Sequence, residues 1–354
     1  MSLPTEPIGS IPRAPALIDA MGAFAAGRLG QAELDRLGDD AVRETIGALE
    51  ATGSPVITDG EQTKPSFATY PVHGLPNLAP DGVTIPFADG HTRQLPRLTT
   101  GPFRYGTYAA TYTEAARRHA RRPLKQAVIS SSALSLLYPA SGIPGYSKET
   151  FLEDLVREAE TDIRRALDAG ACNVQIDFTE GRLAVKLDPS LGLLRTFIAL
   201  NNRVLDRFGD GERSRLGVHT CPGGDHDSTH SADVDYAQLL PSLFELRVGN
   251  FYIQLASERD RPRVLGLIKA HLGPSQRVFI GVIDPIDPRV ETPEAIRDRV
   301  LEAARVIPVD QLGTTDDCGF APFADDTSTA RETAFAKIRA RVEGTELASR
   351  ALGV

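Results

Sequence analysis

Eight short runs of apolar and β-branched residues recur along this chain of 354 residues, and helical stretches separate most of them. Runs of this kind are typical of parallel strands that are buried on both faces, because such strands are apolar throughout. The predicted strands are residues 7–13, 55–60, 124–130, 173–178, 216–221, 251–256, 278–284 and 312–318. Strands that alternate with helices pair in parallel through right-handed crossovers. The pattern therefore predicts an α/β fold, a (β/α)8 TIM barrel.

Local signals place several helices and one irregular stretch between these strands. Ser147 precedes a segment whose apolar residues follow steps of three and four, so it is a predicted N-cap. Thr292 is a second predicted N-cap, followed by Pro293 at the first helical position. The segment 67–122 is rich in Pro, Gly and Thr and is predicted to be a long excursion between strands two and three, with a small hairpin at 83–87 and 92–98. No internal repeat is visible, so residues 1–354 are predicted to form a single domain.

Composition and charge narrow the class of protein. The formal net charge is −8, and the arginines near residue 120 resemble a solvated helix face, so no nucleic-acid partner is expected. No run reaches the ~18 apolar residues of a membrane span, and the first ten residues lack the pattern of a signal peptide. Three cysteines do not make a disulfide framework. We expect a cytoplasmic enzyme.

Polar residues stand at the C-terminal ends of the predicted strands. In a (β/α)8 barrel these ends meet at one mouth, where such enzymes keep their active sites. A doubly wound dinucleotide-binding sheet is disfavoured because no Gly-rich phosphate turn follows the first strand. The residues at the predicted mouth are Ser10, Asp59, Glu61, Ser130, Asp177, His219, Cys221, Gln254, Asp284 and Cys318.

His219 and Cys221 form the sharpest motif in the sequence. Residues two apart on a strand face the same way, so both can bind one metal, and Cys318 ends the last predicted strand at the same mouth. One imidazole and two thiolates are ligands that select zinc. Spacing alone leaves a second interpretation open, in which the cysteines are small buried hydrophobes and His219 is a hydrogen-bonded core residue.

Two other groups of residues have structural interpretations beside functional ones. Cys172 precedes a strand at the opposite end of the predicted barrel and is expected to be a packed core thiol. Asp225, His226, Asp227 and His230 lie in one loop, where they could bind a metal or substrate or could form turn hydrogen bonds.

The motifs around these residues resemble the C-terminal catalytic barrel of the cobalamin-independent methionine synthases. The resemblance covers nearly the whole chain, and its motifs are Ile8–Pro12, Asp59–Glu61, Gln175–Asp177, His219–Cys221, Gly281–Asp284 and Asp317–Gly319. In that family zinc is held by His, Cys, Glu and Cys and binds the thiol of homocysteine for methylation. The resemblance implies a zinc site at His219, Cys221 and Cys318. It also implies that Glu61 and Asp177 bind the amino group of the substrate, with the backbone of Gly9 and Ser10 near its carboxylate.

The sequence departs from the family pattern in three places. Gln254 falls where the family has its glutamate ligand, with Glu258 as a fallback four residues on. The catalytic histidine of the family aligns near Ile286, so either Asp284 or Asp287 supplies the acid or the leaving group needs no proton. The chain has no Trp, whereas the family's pterin site uses one, which disfavours methyltetrahydrofolate as the donor.

These observations predict a zinc-dependent S-alkyl (methyl) transferase of methionine biosynthesis, with homocysteine or a related thiol as acceptor. Zinc with two thiolates, His219 and Gln254 is neutral, which favours an electrophilic donor such as a sulfonium, a corrinoid methyl group or an epoxide. The expected partners are a small-molecule thiol and an alkyl donor, and a homo-oligomer or a partner protein that supplies the donor remains open.

Three other hypotheses stand beside this one. One is an alkyl transferase that resembles the epoxyalkane–coenzyme M transferases, for which basic residues are expected around the sulfonate. The second is a zinc hydrolase with Asp284 or His226 as base. The third is a structural zinc site closed by a fourth protein ligand.

Overall fold

The computed structural model describes residues 2–354. Its strands are β1 (Leu78–Ala79), β2 (Thr84–Pro86), β3 (Thr92–Gln94), β4 (Arg97–Leu98), β5 (Lys125–Ile129), β6 (Asn173–Asp177), β7 (Leu216–Thr220), β8 (Gly224–Asp225), β9 (Ser228–Thr229), β10 (Asn250–Ile253), β11 (Arg277–Ile283) and β12 (Leu312–Asp316). Its helices are α1 (Pro15–Ala25), α2 (Gln31–Ala51), α3 (Ala110–Arg117), α4 (Ser131–Ser135), α5 (Lys148–Asp168), α6 (Glu180–Leu187), α7 (Gly192–Leu205), α8 (Asp210–Arg213), α9 (Tyr236–Leu243), α10 (Arg261–His271), α11 (Pro293–Ala304) and α12 (Arg331–Leu352). Short 3₁₀ turns lie at Tyr70–Val72 and Val309–Gln311.

Six parallel strands form the central sheet, in the order β12-β11-β10-β7-β6-β5. They correspond to the third to eighth predicted strands. Asp177 at the end of β6 pairs with His219 on β7, so the registers bring chemically active residues of neighbouring strands to the same level. The α/β class and the parallel sheet are confirmed.

The first two predicted strands need correction. Residues 7–13 and 55–60 are not ladder strands, and each region has only one bridge to the sheet, Thr5 with Thr314 of β12 and Ile57 with Leu124 beside β5. The two segments instead contact each other, since Ile11 N donates to Gly60 O at 3.0 Å. Prolines in the first segment cannot donate ladder hydrogen bonds, and the second turns sharply at Gly60 and Glu61, both with positive φ.

Both predicted N-caps are present in the structure. The Ser147 side chain accepts a hydrogen bond from Thr150 N at the start of α5. The Thr292 side chain accepts one from Ala295 N at the start of α11, with Pro293 in the first turn. Such caps satisfy backbone donors that the helix itself leaves free.

A hairpin from the 67–122 segment lies over the carboxyl ends of the strands. Strands β2 and β3 pair antiparallel. The hairpin contacts the β8–β9 loop, where Ala88 N donates to Thr229 O at 2.9 Å. Arg93 of β3 forms an ion pair with the buried carboxylate of Asp225, with 2.5 Å between Nε and Oδ2. The hairpin therefore covers one side of the region where the predicted site residues lie.

The sheet is buried on both faces, as expected for strands that helices cover. Every residue of β5, β7, β10 and β12 is buried. Across residues 2–354, none of the helices combines the length and the apolar character needed to cross a membrane.

Candidate metal centre and adjoining pockets

The ends of β7 and β12 bring His219, Cys221 and Cys318 together. Their ligand atoms all lie within 4.8 Å of one another, and the two sulfur atoms are 3.2 Å apart. His219 is 1% exposed, yet neither of its ring nitrogens has a hydrogen-bond partner within residues 2–354. Buried polar atoms are normally satisfied, so this histidine fits a bound cation better than a core role. One nitrogen and two sulfur donors suit zinc, and three protein ligands are typical of a catalytic site with one open position.

Asp317 fixes the loop that carries Cys318. Its carboxylate accepts hydrogen bonds from Leu255 N, Ala256 N and Ser257 N, each at 2.8 Å. Burial raises the pKa of Asp317 to about 7. A Cβ at Gly281 would lie 1.8 Å from Asp317 Oδ1, so only glycine lets β11 pass this close. The loop after β12 is thereby fastened to the loop after β10.

Ser10 fastens the same loop to the N-terminal segment. Its carbonyl accepts from Phe320 N at 3.0 Å, and its hydroxyl accepts from Ala321 N at 3.2 Å. A Cβ at Gly319 would lie 2.1 Å from Ser10 Oγ, so the close approach requires glycine there as well. The N-terminal segment and Cys318 therefore share one rigid framework.

A pocket of about 30 Å³, here called the thiol pocket, lies against the metal cluster. The predicted substrate residues and two members of the cluster line it together. Its lining is Ile8, Gly9, Ser10, Glu61, Phe67, Asp177, Thr179, His219, Gly223, Gly224, Cys318, Gly319 and Pro322. This lining contains two carboxylates and no lysine or arginine.

The two carboxylates of the thiol pocket differ in their pairing. Glu61 Oε1 accepts from Lys64 Nζ at 3.0 Å, and the same buried ammonium donates to Ala127 O at 2.9 Å. Asp177 has no cationic side chain bonded to it within residues 2–354 and accepts from Gln175 Nε2 at 2.7 Å. Burial raises the pKa of Asp177 to about 6, with a smaller opposing effect of His219. An incoming ammonium group would complement this pair.

Gln254 and Glu258 are both bonded to the guanidinium of Arg182. Gln254 Oε1 accepts from Arg182 Nη1 at 2.7 Å and from the Tyr236 hydroxyl at 2.9 Å. Both lone pairs of this oxygen are therefore engaged. Glu258 Oε1 lies 3.1 Å from the same Arg182 nitrogen. In this arrangement the Gln254 oxygen has no free lone pair to offer the cluster. Arg182 was missed because Gln254 and Glu258 lie more than 70 residues away from it in sequence.

Asp284 lies on a separate cavity of about 730 Å³, here called the large cavity, which Cys318, Asp317 and Ile286 also line. Its Oδ1 accepts from Ile286 N at 3.0 Å, and burial raises its pKa. Asp284 does not line the thiol pocket.

A third cavity, of about 380 Å³, contains a residue that the sequence did not single out. Glu180 Oε1 accepts hydrogen bonds from the Ser130 and Ser132 hydroxyls, each at 2.5 Å. Its Oε2 is buried without a partner among the described residues, and burial raises its pKa to about 7. Glu180 is the first residue of helix α6. An acidic residue at this position is usually explained by its favourable interaction with the helix dipole.

Three further candidate residues lie outside the group of His219, Cys221 and Cys318. Asp225 pairs with Arg93, and His230 lies beside Ser231, with 2.9 Å between Nδ1 and Oγ. Burial lowers the pKa of His230 to about 4. Cys172 precedes β6 at the opposite end of the sheet, and burial raises its pKa to about 11.

Comparison with known proteins identifies the family. The family model described as "Cobalamin-independent synthase, Catalytic domain" matches residues 3–343. The chain belongs to this family. A methionine synthase of Saccharolobus solfataricus is 22% identical over 345 residues, covering 98% of this chain and 94% of the relative. A 5-methyltetrahydropteroyltriglutamate–homocysteine methyltransferase of Nitratidesulfovibrio vulgaris is 26% identical, and the match spans 90% of this chain but 39% of that longer protein.

A solved structure of this family shares the fold. The B12-independent methionine synthase from Shewanella sp. W3-18-1, solved in complex with selenomethionine, superimposes with a TM-score of 0.79 at 19% identity, covering 99% of both chains. The resemblance to cobalamin-independent methionine synthases that the sequence indicated is confirmed.

Proposed function

We propose that this member of the family is a zinc-dependent methyltransferase that methylates the thiol of homocysteine or a closely related amino-acid thiol. The observation that carries the proposal is the thiol pocket, where His219 and Cys318 lie beside Glu61 and Asp177. A soft metal site and a carboxylate pair in one small space suit a substrate with a thiol at one end and an ammonium at the other. One relative is named a methionine synthase, and the name of another, a homocysteine methyltransferase, states methyl transfer to such a thiol.

Each residue of the pocket has a distinct task in this mechanism. Zinc held by His219, Cys221 and Cys318 would lower the pKa of a thiol that reaches it, so that the sulfur is a nucleophile at neutral pH. Glu61 and Asp177 bind the ammonium group and set the distance from the pocket wall to the sulfur. Lys64 holds Glu61 in place, and the backbone at Gly9 and Ser10 lies where the substrate carboxylate would bind. Asp284 lines the large cavity, and proton transfer by its carboxyl group is expected only for a leaving group that needs a proton.

The fold that supports this site is proposed to be a closed (β/α)8 barrel in one domain of residues 1–354. The bridges at Thr5 and Ile57 lie at opposite edges of the six-stranded sheet. The two bridging segments contact each other, with the Thr58 hydroxyl donating to Gly9 O at 2.8 Å. Closure through these segments would place Gly9, Ser10 and Glu61 opposite Asp177 and His219.

Three observations weigh against the other hypotheses. A sulfonate substrate of the coenzyme M type needs cationic partners, and the lining of the thiol pocket has acids instead. Asp284, the candidate base of a hydrolase, lines the large cavity rather than the thiol pocket. A closed structural site needs a fourth protein ligand, and Arg182 engages both Gln254 and Glu258.

The proposal is tested by cobalt substitution and homocysteine titration. Cobalt bound by two thiolates gives charge-transfer and ligand-field bands, and these should change on adding homocysteine, with one metal and one thiol per chain. Homoserine, which replaces the thiol by a hydroxyl, is the matched control and should leave the bands unchanged. Identical spectra with and without homocysteine would contradict the proposal.

A further inference from the structure

We propose that the third cavity, which Glu180 lines and which is called the donor cavity from here on, binds the methyl donor. We propose further that this donor is a methylated onium cation, either a sulfonium or a quaternary ammonium. The inference rests on the proposed function and names the chemical class of its second substrate. The first observation is that the donor cavity lies next to the metal cluster. Gly224 lines the thiol pocket, the large cavity and the donor cavity alike, and a Cβ built on it would lie 3.8 Å from Cys318 Sγ. A ligand that reaches this point from the donor cavity lies next to the metal cluster.

An unpaired carboxyl group gives the donor cavity its charge preference. Glu180 is 5% exposed, and the Ser130 and Ser132 hydroxyls bond only one of its oxygens. The other oxygen has no donor within residues 2–354. A buried carboxylate is normally paired, because removing an unpaired charge from water is costly. A cationic ligand would supply the missing partner.

The other charged groups that line the donor cavity are already compensated. The Arg93 guanidinium bonds Asp225 at 2.5 Å and Asp325 at 2.8 Å. The lowered pKa of His230, about 4, leaves its imidazole neutral at pH 7. Glu180 is therefore the lining carboxylate that lacks a cationic side chain in the described part of the chain.

Aromatic rings supply the second half of an onium site. Phe67, Phe87 and Phe323 line the cavity, and Arg93 already lies over the Phe323 ring at 4.2 Å from its centroid. Aromatic faces attract weakly hydrated cations such as methylated ammonium and sulfonium groups, which cannot donate strong hydrogen bonds. The remaining lining is largely aliphatic, including Ile129, Leu136 and Leu183. A volume of about 380 Å³ suits a small organic ligand.

The chemistry of an onium donor balances without an acid. The thiolate sulfur of the acceptor forms a new S–C bond as the bond between the methyl carbon and the onium atom breaks. The electron pair of the broken bond stays on that atom, which leaves as a neutral sulfide or tertiary amine. No proton is needed at the leaving group, so this step makes no use of an acid.

The binding half of the proposal is tested by calorimetry on metal-replete protein with trimethylsulfonium, tetramethylammonium and the uncharged tert-butanol. Both cations should bind at least about tenfold more tightly than tert-butanol, since one well-placed ion pair and cation–π contact contribute about that much. Glu180→Gln should weaken cation binding by about tenfold and leave tert-butanol binding unchanged. Glu258→Gln, which removes a carboxylate from the large cavity, is the matched control and should bind the cations as the unchanged protein does. Equal affinity for cations and tert-butanol, or full cation binding by Glu180→Gln, would overturn the proposal.

Methyl transfer is tested with the same two cations, labelled with carbon-13 in their methyl groups. Homocysteine is the acceptor, and the product is analysed by mass spectrometry. Labelled methionine from one cation and not the other identifies the onium element. Cation binding without labelled product, in protein whose cobalt spectrum responds to homocysteine, overturns the assignment of this cavity to the donor. The cobalt titration also separates the two proposals. Cation binding without a homocysteine response contradicts the proposed function, and a homocysteine response without cation binding contradicts this inference alone.

Discussion

The two sides of the metal cluster use similar strand-end residues in different ways. On the β6, β7 and β12 side, both ring nitrogens of His219 lack a hydrogen-bond partner within residues 2–354, and Asp177 accepts from Gln175 without a cationic partner there. On the β10 and β11 side, Gln254 has both lone pairs of its carbonyl oxygen engaged, and Asp284 caps its own loop. Both sides carry polar residues at the carboxyl ends of parallel strands, so position alone does not separate them. The difference is whether neighbouring side chains already use the polar atoms.

The largest expected effect compares two cysteines at opposite ends of the sheet. Cys318→Ser should lower zinc affinity by ~100-fold or more, because loss of a ligand exceeds the 10–100-fold effect typical of an outer partner. Methyl transfer should fall with it. Cys172→Ser, at the amino-terminal end of β6, should keep full metal content. Metal analysis after dialysis against a chelator measures both, and equal zinc retention by the two variants would contradict the assignment.

The next largest effect distinguishes binding of the substrate's ammonium group from binding of its thiol. Asp177→Asn should raise the KM for homocysteine by roughly 10–100-fold, since a charge-assisted hydrogen bond contributes about 1.5–3 kcal/mol. Metal content should stay unchanged. For 4-mercaptobutanoate, which is homocysteine without its amino group, the same variant should show little change in KM. A similar increase for both thiols would remove Asp177 from ammonium binding.

A smaller effect is expected from pH in the donor cavity. Burial raises the pKa of Glu180 to about 7, with the Ser130 and Ser132 hydroxyls opposing and Asp177 adding to the rise. The titratable and charged residues lining the same cavity are His73, Arg93, His230 and Asp325. The carboxylate is present above pH 7 and is lost as pH falls through that value. If the protonated form binds trimethylsulfonium about tenfold more weakly, as expected for Glu180→Gln, affinity should rise by about fivefold from pH 6 to pH 8. Calorimetry should show that the affinity of Glu180→Gln for trimethylsulfonium does not change with pH. The same pH dependence in the variant and in the unchanged protein would contradict the role of Glu180.

The smallest effect on the metal is predicted for Gln254→Ala. Because Gln254 bonds Arg182 and Tyr236, its loss should lower the free energy of unfolding by about 1–3 kcal/mol, as a buried guanidinium loses a partner. Zinc affinity should change by less than about tenfold, below the effect of losing a ligand. Urea unfolding and metal competition measure the two quantities. A loss of zinc as severe as in Cys318→Ser would restore Gln254 as a ligand.

The sequence predicted those parts of the fold that depend on residues close together in the chain. The six sheet strands and the caps at Ser147 and Thr292 follow from apolar runs and side chains that compete for backbone donors. The segments 7–13 and 55–60 have strand-like composition, yet they touch the sheet at single residues because prolines and the turn at Gly60–Glu61 interrupt them. The composition of a segment does not predict whether its hydrogen bonds to a neighbouring strand continue beyond a single bridge.

The sequence predicted those residues of the candidate site whose side-chain type alone indicates metal binding. His219, Cys221 and Cys318 stand out because imidazole and thiolate are rare outside special roles, and family resemblance added Glu61 and Asp177. Arg182 and Glu180 were not predictable in the same way. An arginine and a glutamate in one helical turn look like a solvated face, and only the three-dimensional contacts show that both are buried and that one oxygen of Glu180 lacks a partner.

The count of sulfur atoms around the metal tests the central claim most directly. X-ray absorption of the zinc-loaded protein should give two sulfur scatterers without substrate and three with homocysteine bound, since Cys221 and Cys318 supply two and leave one position for the incoming thiol. A shell that keeps two sulfur atoms when homocysteine is saturating would contradict the account.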